Sequence, residues 1–106
     1  MRVKDVPEIT VFMERASKDP RLGPLHVSLY FAIVLCWLRQ GAEGPAKVSR
    51  KDLMQIAKIS GRSPMFDSLR ELHEYGYIEY HRSFDSRKKN RVYLPLMETM
   101  GYRCRG

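Results

Sequence analysis

Ser49-Arg50-Lys51-Asp52-Leu53-Met54-Gln55-Ile56-Ala57-Lys58-Ile59-Ser60-Gly61 is the stretch that decides how this chain is read. Ser49, followed three residues later by Asp52, has the form of a helix N-cap with its capping-box partner. Leu53, Ile56 and Ala57 then recur at helical spacing. Ile59-Ser60-Gly61 reads as a turn, with Gly61 free to adopt a left-handed conformation. A second helix starts between Gly61 and Pro64. Ser63-Pro64 suits an N-cap and first helical position, with Ser60 as the alternative cap. Met65, Leu69 and Leu72 fall at i, i+4 and i+7 and are expected to face the core, and Gly76 stops the helix. Residues 77–82 and 92–94 have strand composition, and residues 83–90 join them by a loop longer than a tight hairpin turn. The expected fold is mainly α with a small antiparallel β-hairpin.

Outward from that stretch, residues 25–40 form the most hydrophobic helix. At 100° per residue its apolar side chains point in nearly every direction, and only Ser28, Ala32 and Arg39 leave a less apolar stripe. A helix apolar all round has to be covered on more than one face. That requirement predicts a homodimer, with Val27, Tyr30, Val34, Trp37 and Leu38 as interface residues. Gly41 and Gly44-Pro45 end this helix, and Ala46-Lys47-Val48 suits a short strand. Upstream, Pro7 opens a helix that carries Ile9, Phe12 and Met13 on one face and ends near Ser17, before a loop marked by Asp19-Pro20 and Gly23-Pro24. The expected organisation is a helical extension over residues 1–24, one domain over 25–96 and a tail over 97–106, with residues 1–6 as a frayed lead.

A chain of 106 residues buries roughly 60–70% of its unfolded surface, enough for a core without disulfide staples. Its charge is uneven. Residues 1–46 hold 6 Lys/Arg against 5 Asp/Glu, and residues 47–106 hold 13 against 7, so that +6 of the net +7 lies in the second half. Excess positive charge there points to a polyanionic partner. Cys36, in the apolar helix, is expected to be a small buried thiol, and Cys104 lies in the tail. With no Cys-x-x-Cys spacing, a reducing cytoplasm fits best. The N-terminus lacks the pattern of a signal peptide, and the apolar run from Leu25 to Leu38 is too short to span a bilayer. No membrane association is expected.

The run Leu53-Met54-x-Ile56-Ala57-x-Ile59-Ser60, followed by Leu69-x-x-Leu72-x-x-x-Gly76-Tyr77-Ile78, resembles bacterial winged helix-turn-helix transcriptional regulators. The segment from Glu71 to Tyr80 is similar to small regulators encoded near mobile elements in Bacteroides-like bacteria. The resemblance spans about residues 25–96. It implies sequence-specific binding of double-stranded DNA by a homodimer, one helix entering the major groove and a basic wing meeting the phosphates. The DNA-binding residues it implies on the recognition helix are Arg62, Ser63, Phe66 and Asp67, at the bases, and Arg70 on the outward face. In the wing, Arg82, Arg87, Lys88, Lys89 and Arg91 lie within ten residues, opposed only by Asp85. The sequence departs from the regulators on the outward helix face, where Asp67, Glu71 and Glu74 place three acids near the expected path of phosphates. That acidic face favours a second reading, a winged-helix protein-interaction module without DNA binding. A third reading is an accessory DNA-binding protein of a mobile element, acting in replication or excision.

Catalysis is not indicated. The chain has no Gly-rich phosphate loop and no Gly-x-Ser-x-Gly elbow. His26, His73 and His81 lack metal-ligand spacing to one another or to Cys, Asp or Glu, and neither a metal nor another cofactor is expected. Tyr75, Tyr77, Tyr80, Phe84 and Tyr93 interleave with basic residues. That pattern suits a stacking surface for single strands, but strand composition favours packing between hairpin and helices.

Overall fold

A computed structural model of the chain describes residues 7–85 and 87–95. Its elements run α1 (Pro7–Lys18), α2 (Pro24–Arg39), β1 (Ala46–Val48), α3 (Arg50–Ala57), α4 (Arg62–Glu74), β2 (Glu79–His81) and β3 (Asn90–Tyr93). The protein is mainly helical, with a small antiparallel sheet of strand order β1-β3-β2. The expected lead (residues 1–6), the tail (97–106) and Cys104 lie outside the described residues.

Most of the all-round apolar α2 is covered by the chain itself, while Leu25 and Phe31 stay exposed. Leu29, Tyr30, Ala32, Ile33, Val34, Cys36 and Trp37 are all buried. On one side the Phe12 ring of α1 stacks on Tyr30 with centroids 3.7 Å apart and meets Tyr77 edge-on at 5.5 Å. Burial of one such ring stabilises by roughly 1.5–3 kcal/mol, so α1 is part of the core. On another side Ser28 Oγ donates to the Ala57 carbonyl at the end of α3, at 2.6 Å. Past the end of α2, Trp37 Nε1 donates to the Gly44 carbonyl at 3.0 Å. Gln40 uses both ends of its amide on Lys47: its Nε2 donates to the carbonyl (2.7 Å) and its Oε1 accepts from the amide (2.8 Å). β1 is an edge strand, and this side chain satisfies backbone groups that the sheet leaves unpaired.

The sheet shows the two-residue alternation of a half-buried surface. Ala46 faces Val92, which faces Tyr80, on the side packed against the helices. Lys47 faces Arg91, which faces His81, on the exposed side.

α3 begins as its sequence suggests, with the Ser49 hydroxyl accepting from the Asp52 amide at 3.0 Å. The turn after it differs. Lys58, not Gly61, takes the left-handed conformation (φ 62°), and its amide and that of Ile59 return to the Met54 carbonyl. Gly61 is extended (φ −103°) and is itself the N-cap of α4, in place of Ser60 or Ser63. A Cβ on Gly61 would lie 3.0 Å from Pro64 Cδ, so glycine serves here to clear the proline ring within the first turn. Met65, Leu69 and Leu72 are buried along α4 as the spacing requires. At the far end Gly76, with φ 87°, donates to the His73 carbonyl (3.1 Å), and Tyr77 donates to the Leu72 carbonyl (3.0 Å). This pair of bonds is a Schellman stop, and Leu72 and Tyr77, at the two positions that motif brings together, are both buried. The Tyr77 and Ile78 amides are both directed at Leu72, which is why β2 starts at Glu79 and is shorter than the strand expected over residues 77–82.

Candidate nucleic-acid interface

The starts of α3 and α4 and the β2–β3 loop converge on one open concavity of about 410 Å³. Ser49 and Arg50 line it from α3, Arg62 and Phe66 from α4, and Tyr80, Arg82, Ser83, Asp85, Arg87, Lys88, Lys89 and Asn90 from the hairpin. Six of these side chains are cationic and one is a carboxylate. Of the residues expected at DNA, Arg62, Phe66, Arg82, Arg87, Lys88 and Lys89 are thus brought together. Ser63, Asp67 and Arg70 are exposed on α4 outside this lining. Arg91 instead borders a second basic hollow of about 450 Å³, on the outer side of the sheet, with Lys47, Ser83, Lys88 and Lys89.

The loop that carries these cations is held by its own polar groups. The Ser83 amide donates to Asn90 Oδ1 (2.7 Å) and the Arg87 amide to Asp85 Oδ1 (3.0 Å). The Lys88 amide donates to the Asp85 carbonyl (2.9 Å). Asp85 Oδ1 thus shapes the turn and also lies 3.4 Å from Arg87 Nε, the one cation of the hollow that it pairs with. Lys89 Nζ donates to Asp52 Oδ2 at 2.9 Å and ties the hairpin to the first turn of α3. The ammonium holds the Asp52 carboxyl below its ordinary range, and the carboxylate raises Lys89 in turn. Lys89 is a tether as well as a cation.

The three acids expected on the outer face of α4 keep side-chain exposure, and each has a partner. Glu71 turns inward to accept from His26 Nε2 at 2.7 Å. His26 Nδ1 accepts from the Gly23 amide (2.9 Å), so the two bonds together select the Nε2–H tautomer. Asp67 and Glu74 remain exposed, but Arg70 lies between them, 3.3 Å from one and 3.9 Å from the other. Arg70 is accordingly engaged along its own helix, and with one cation beside Asp67, Glu71 and Glu74 the strip keeps a net negative charge.

A third polar cluster has no counterpart in the sequence reading. Asp19 accepts from Arg21 Nε (2.9 Å), Arg21 Nη2 (2.8 Å) and Tyr77 Oη (2.9 Å), while the Arg21 guanidinium lies 4.0 Å over the Tyr75 ring. The guanidinium first, and then the Arg21 amide and Tyr77 hydroxyl, hold the Asp19 carboxyl far below its usual range. These contacts fasten the α1–α2 loop to the segment leaving α4. Also missed were Arg50 and Lys47, although a basic residue at the first position of α3, where acids are favoured, was a readable signal.

The expected dimer residues are sited differently from the prediction. Tyr30 (0% exposed), Val34 and Trp37 are enclosed within the protomer, while Val27 and Leu38 are half-buried. Those three side chains are covered by the chain's own elements, which pack around α2. Cys36 is buried, which pushes its thiol up.

Among the described residues, no group of three His, Cys, Asp or Glu side chains is placed to hold a metal ion, and no helix is long and apolar enough to cross a membrane. The chain matches no family model, and comparison with curated proteins and with solved structures finds no match.

Proposed function

We propose that this chain is a winged helix-turn-helix protein that binds double-stranded DNA and acts as a transcriptional regulator. In this reading α3 and α4 are the helix pair, α4 is the recognition helix and the β2–β3 hairpin is the wing. The observation that carries it is the concavity where the first turn of α4 meets the hairpin, with six cations facing one carboxylate that is itself occupied in the turn. A positive hollow between a helix N-terminus and a hairpin suits a phosphate backbone, and Arg62, exposed at the first position of α4, is the side chain assigned to a guanine edge. The element order, helix-strand-helix-helix-strand-strand from α2 onward, also supports the reading. The acids that motivate the interaction-module alternative have partners, Glu71 with His26 and Asp67 and Glu74 with Arg70, and they keep side-chain exposure on α4.

The test is fluorescence anisotropy on a labelled random duplex as salt rises. With four to six phosphates contacted, affinity is expected to fall about 10²–10³-fold between 50 and 200 mM salt. Absence of binding at 50 mM would end the proposal.

A further inference from the structure

Phe84 stands out in the hairpin loop. It is 96% exposed, whereas the next most exposed large apolar side chain among the described residues, Met13, is 41% exposed. Its neighbours are fixed. Ser83 Oγ bonds to both the amide and the carbonyl of Asp85 at 3.2 Å, and the Ser83 amide is held by Asn90. Ser83 and Asp85 line the basic concavity, while Phe84, between them, is not part of its lining. An aromatic ring presented to water on a braced turn contributes nothing to the core. Arg82, Arg87 and Lys88 flank it and would hold the same tip against phosphates.

We propose that Phe84 is a wedge that enters a DNA duplex between adjacent base pairs from the minor groove, and that the DNA partner is a duplex deformable at that step. The inference rests on the DNA-binding reading above and deepens it. An apolar side chain carried by a cationic element suits this action: the cations neutralise phosphates on either side of the groove, and the ring replaces the stacking that the bases lose. Cost of insertion is lowest where stacking is already weak, at a mismatch or a flexible pyrimidine–purine step. Selectivity would thus arise at a position where no hydrogen bond reads a base.

The experiment compares the full chain with Phe84→Ala and Phe84→Trp on two duplexes of equal length and charge. One is fully paired, and the other carries a central T·T mismatch beside a 2-aminopurine reporter. Wild type is expected to bind the mismatched duplex about tenfold more tightly and to raise the reporter's fluorescence as the base unstacks. Phe84→Ala should bind both duplexes equally, with affinity for the paired one within about threefold of wild type. Phe84→Trp should keep the preference and the fluorescence rise. Thermal melts of the variants should match wild type, because the side chain is outside the core.

Equal binding of both duplexes by wild type, with a silent reporter, would overturn the wedge and leave DNA binding intact. Binding to neither duplex would remove the DNA reading and the wedge with it. Tighter binding to the same sequence as a single strand, lost in Phe84→Ala, would replace the wedge by stacking on unpaired bases.

Discussion

Arg21 and Arg62 are both exposed arginines, yet their surroundings are opposite. Arg21 is matched: a carboxylate grips its guanidinium through two nitrogens and a tyrosine ring lies beneath it. Arg62 lines a hollow with five other cations, where the one carboxylate already serves the hairpin turn. Charge near the α1–α2 loop is complementary and holds the fold together. Charge between α4 and the hairpin is in excess. Lys89 is paired with Asp52 and Arg87 lies 3.4 Å from Asp85, while the other cations of the hollow outnumber the carboxylates there, a surplus that attracts anions. Stability and binding should therefore separate cleanly between the two regions.

The strongest test of that separation is Phe12→Ala. It removes a fully buried ring stacked on Tyr30 and should cost about 3–5 kcal/mol in chemical denaturation. At a temperature where the variant is folded, its salt-dependent DNA binding should equal wild type. Altered binding by folded protein would show that α1 shapes the concavity, and the comparison would fail.

The converse variant is Arg82→Ala/Arg87→Ala/Lys88→Ala. Replacing exposed residues outside the core changes stability within about 0.5 kcal/mol. The slope of log K against log salt should flatten by about two to three units, close to one per phosphate contact. An unchanged slope would mean that the hairpin does not touch DNA.

The parts of the molecule readable from its sequence are those decided within a few residues. The Ser49 cap, the Leu53/Ile56/Ala57 and Met65/Leu69/Leu72 faces and the Gly76 stop depend on local spacing, and the structure has each where the pattern puts it. What escaped depends on partners distant in the chain. Asp19 and Tyr77 are 58 residues apart, His26 and Glu71 are 45, and Lys89 and Asp52 are 37. No periodicity announces such pairs. For the same reason local spacing shows neither that Glu71 pairs with His26 nor that Tyr30, Val34 and Trp37 lie inside the protomer. Whether a helical residue faces solvent is settled by the elements that fold back over it. Lys58 shows the limit of turn chemistry too: the glycine nearby was needed to clear Pro64, and a lysine took the left-handed position.

Within α4 the comparison sharpens to two arginines. A bidentate contact to guanine discriminates by about 1–3 kcal/mol, so Arg62→Ala should flatten base preference at one position when a library of duplexes is selected against the protein. Arg70→Ala should leave that preference unchanged, because Asp67 and Glu74 hold the side chain along the helix. Loss of preference in Arg70→Ala instead would move the base contacts half-way along α4.

The smallest effect, and the one that places both regions on a single scale, is acid sensitivity. Asp19 and Asp52 each have a carboxyl held below its unfolded value, by Arg21 in one case and by Lys89 in the other. A depressed folded-state pKa contributes stability above the unfolded pKa, about 3.9 for Asp, and that contribution is lost as pH falls through this value toward the folded one. Melting temperature should therefore drop as pH is lowered from 5 toward 2. Asp19 accepts from two side chains and its carboxylate is the more strongly perturbed. Asp52 belongs to a half-exposed pair, and such pairs contribute about 0.2–1 kcal/mol. Asp19→Asn should consequently lower stability at pH 7 and flatten the acid limb more than Asp52→Asn does. Added salt should shrink the Asp52 difference, since an exposed pair is screened. If Asp52→Asn proves the larger perturbation, the tether from hairpin to α3 is the structural centre of the molecule, and Lys89 belongs with the matched charges instead of the surplus ones.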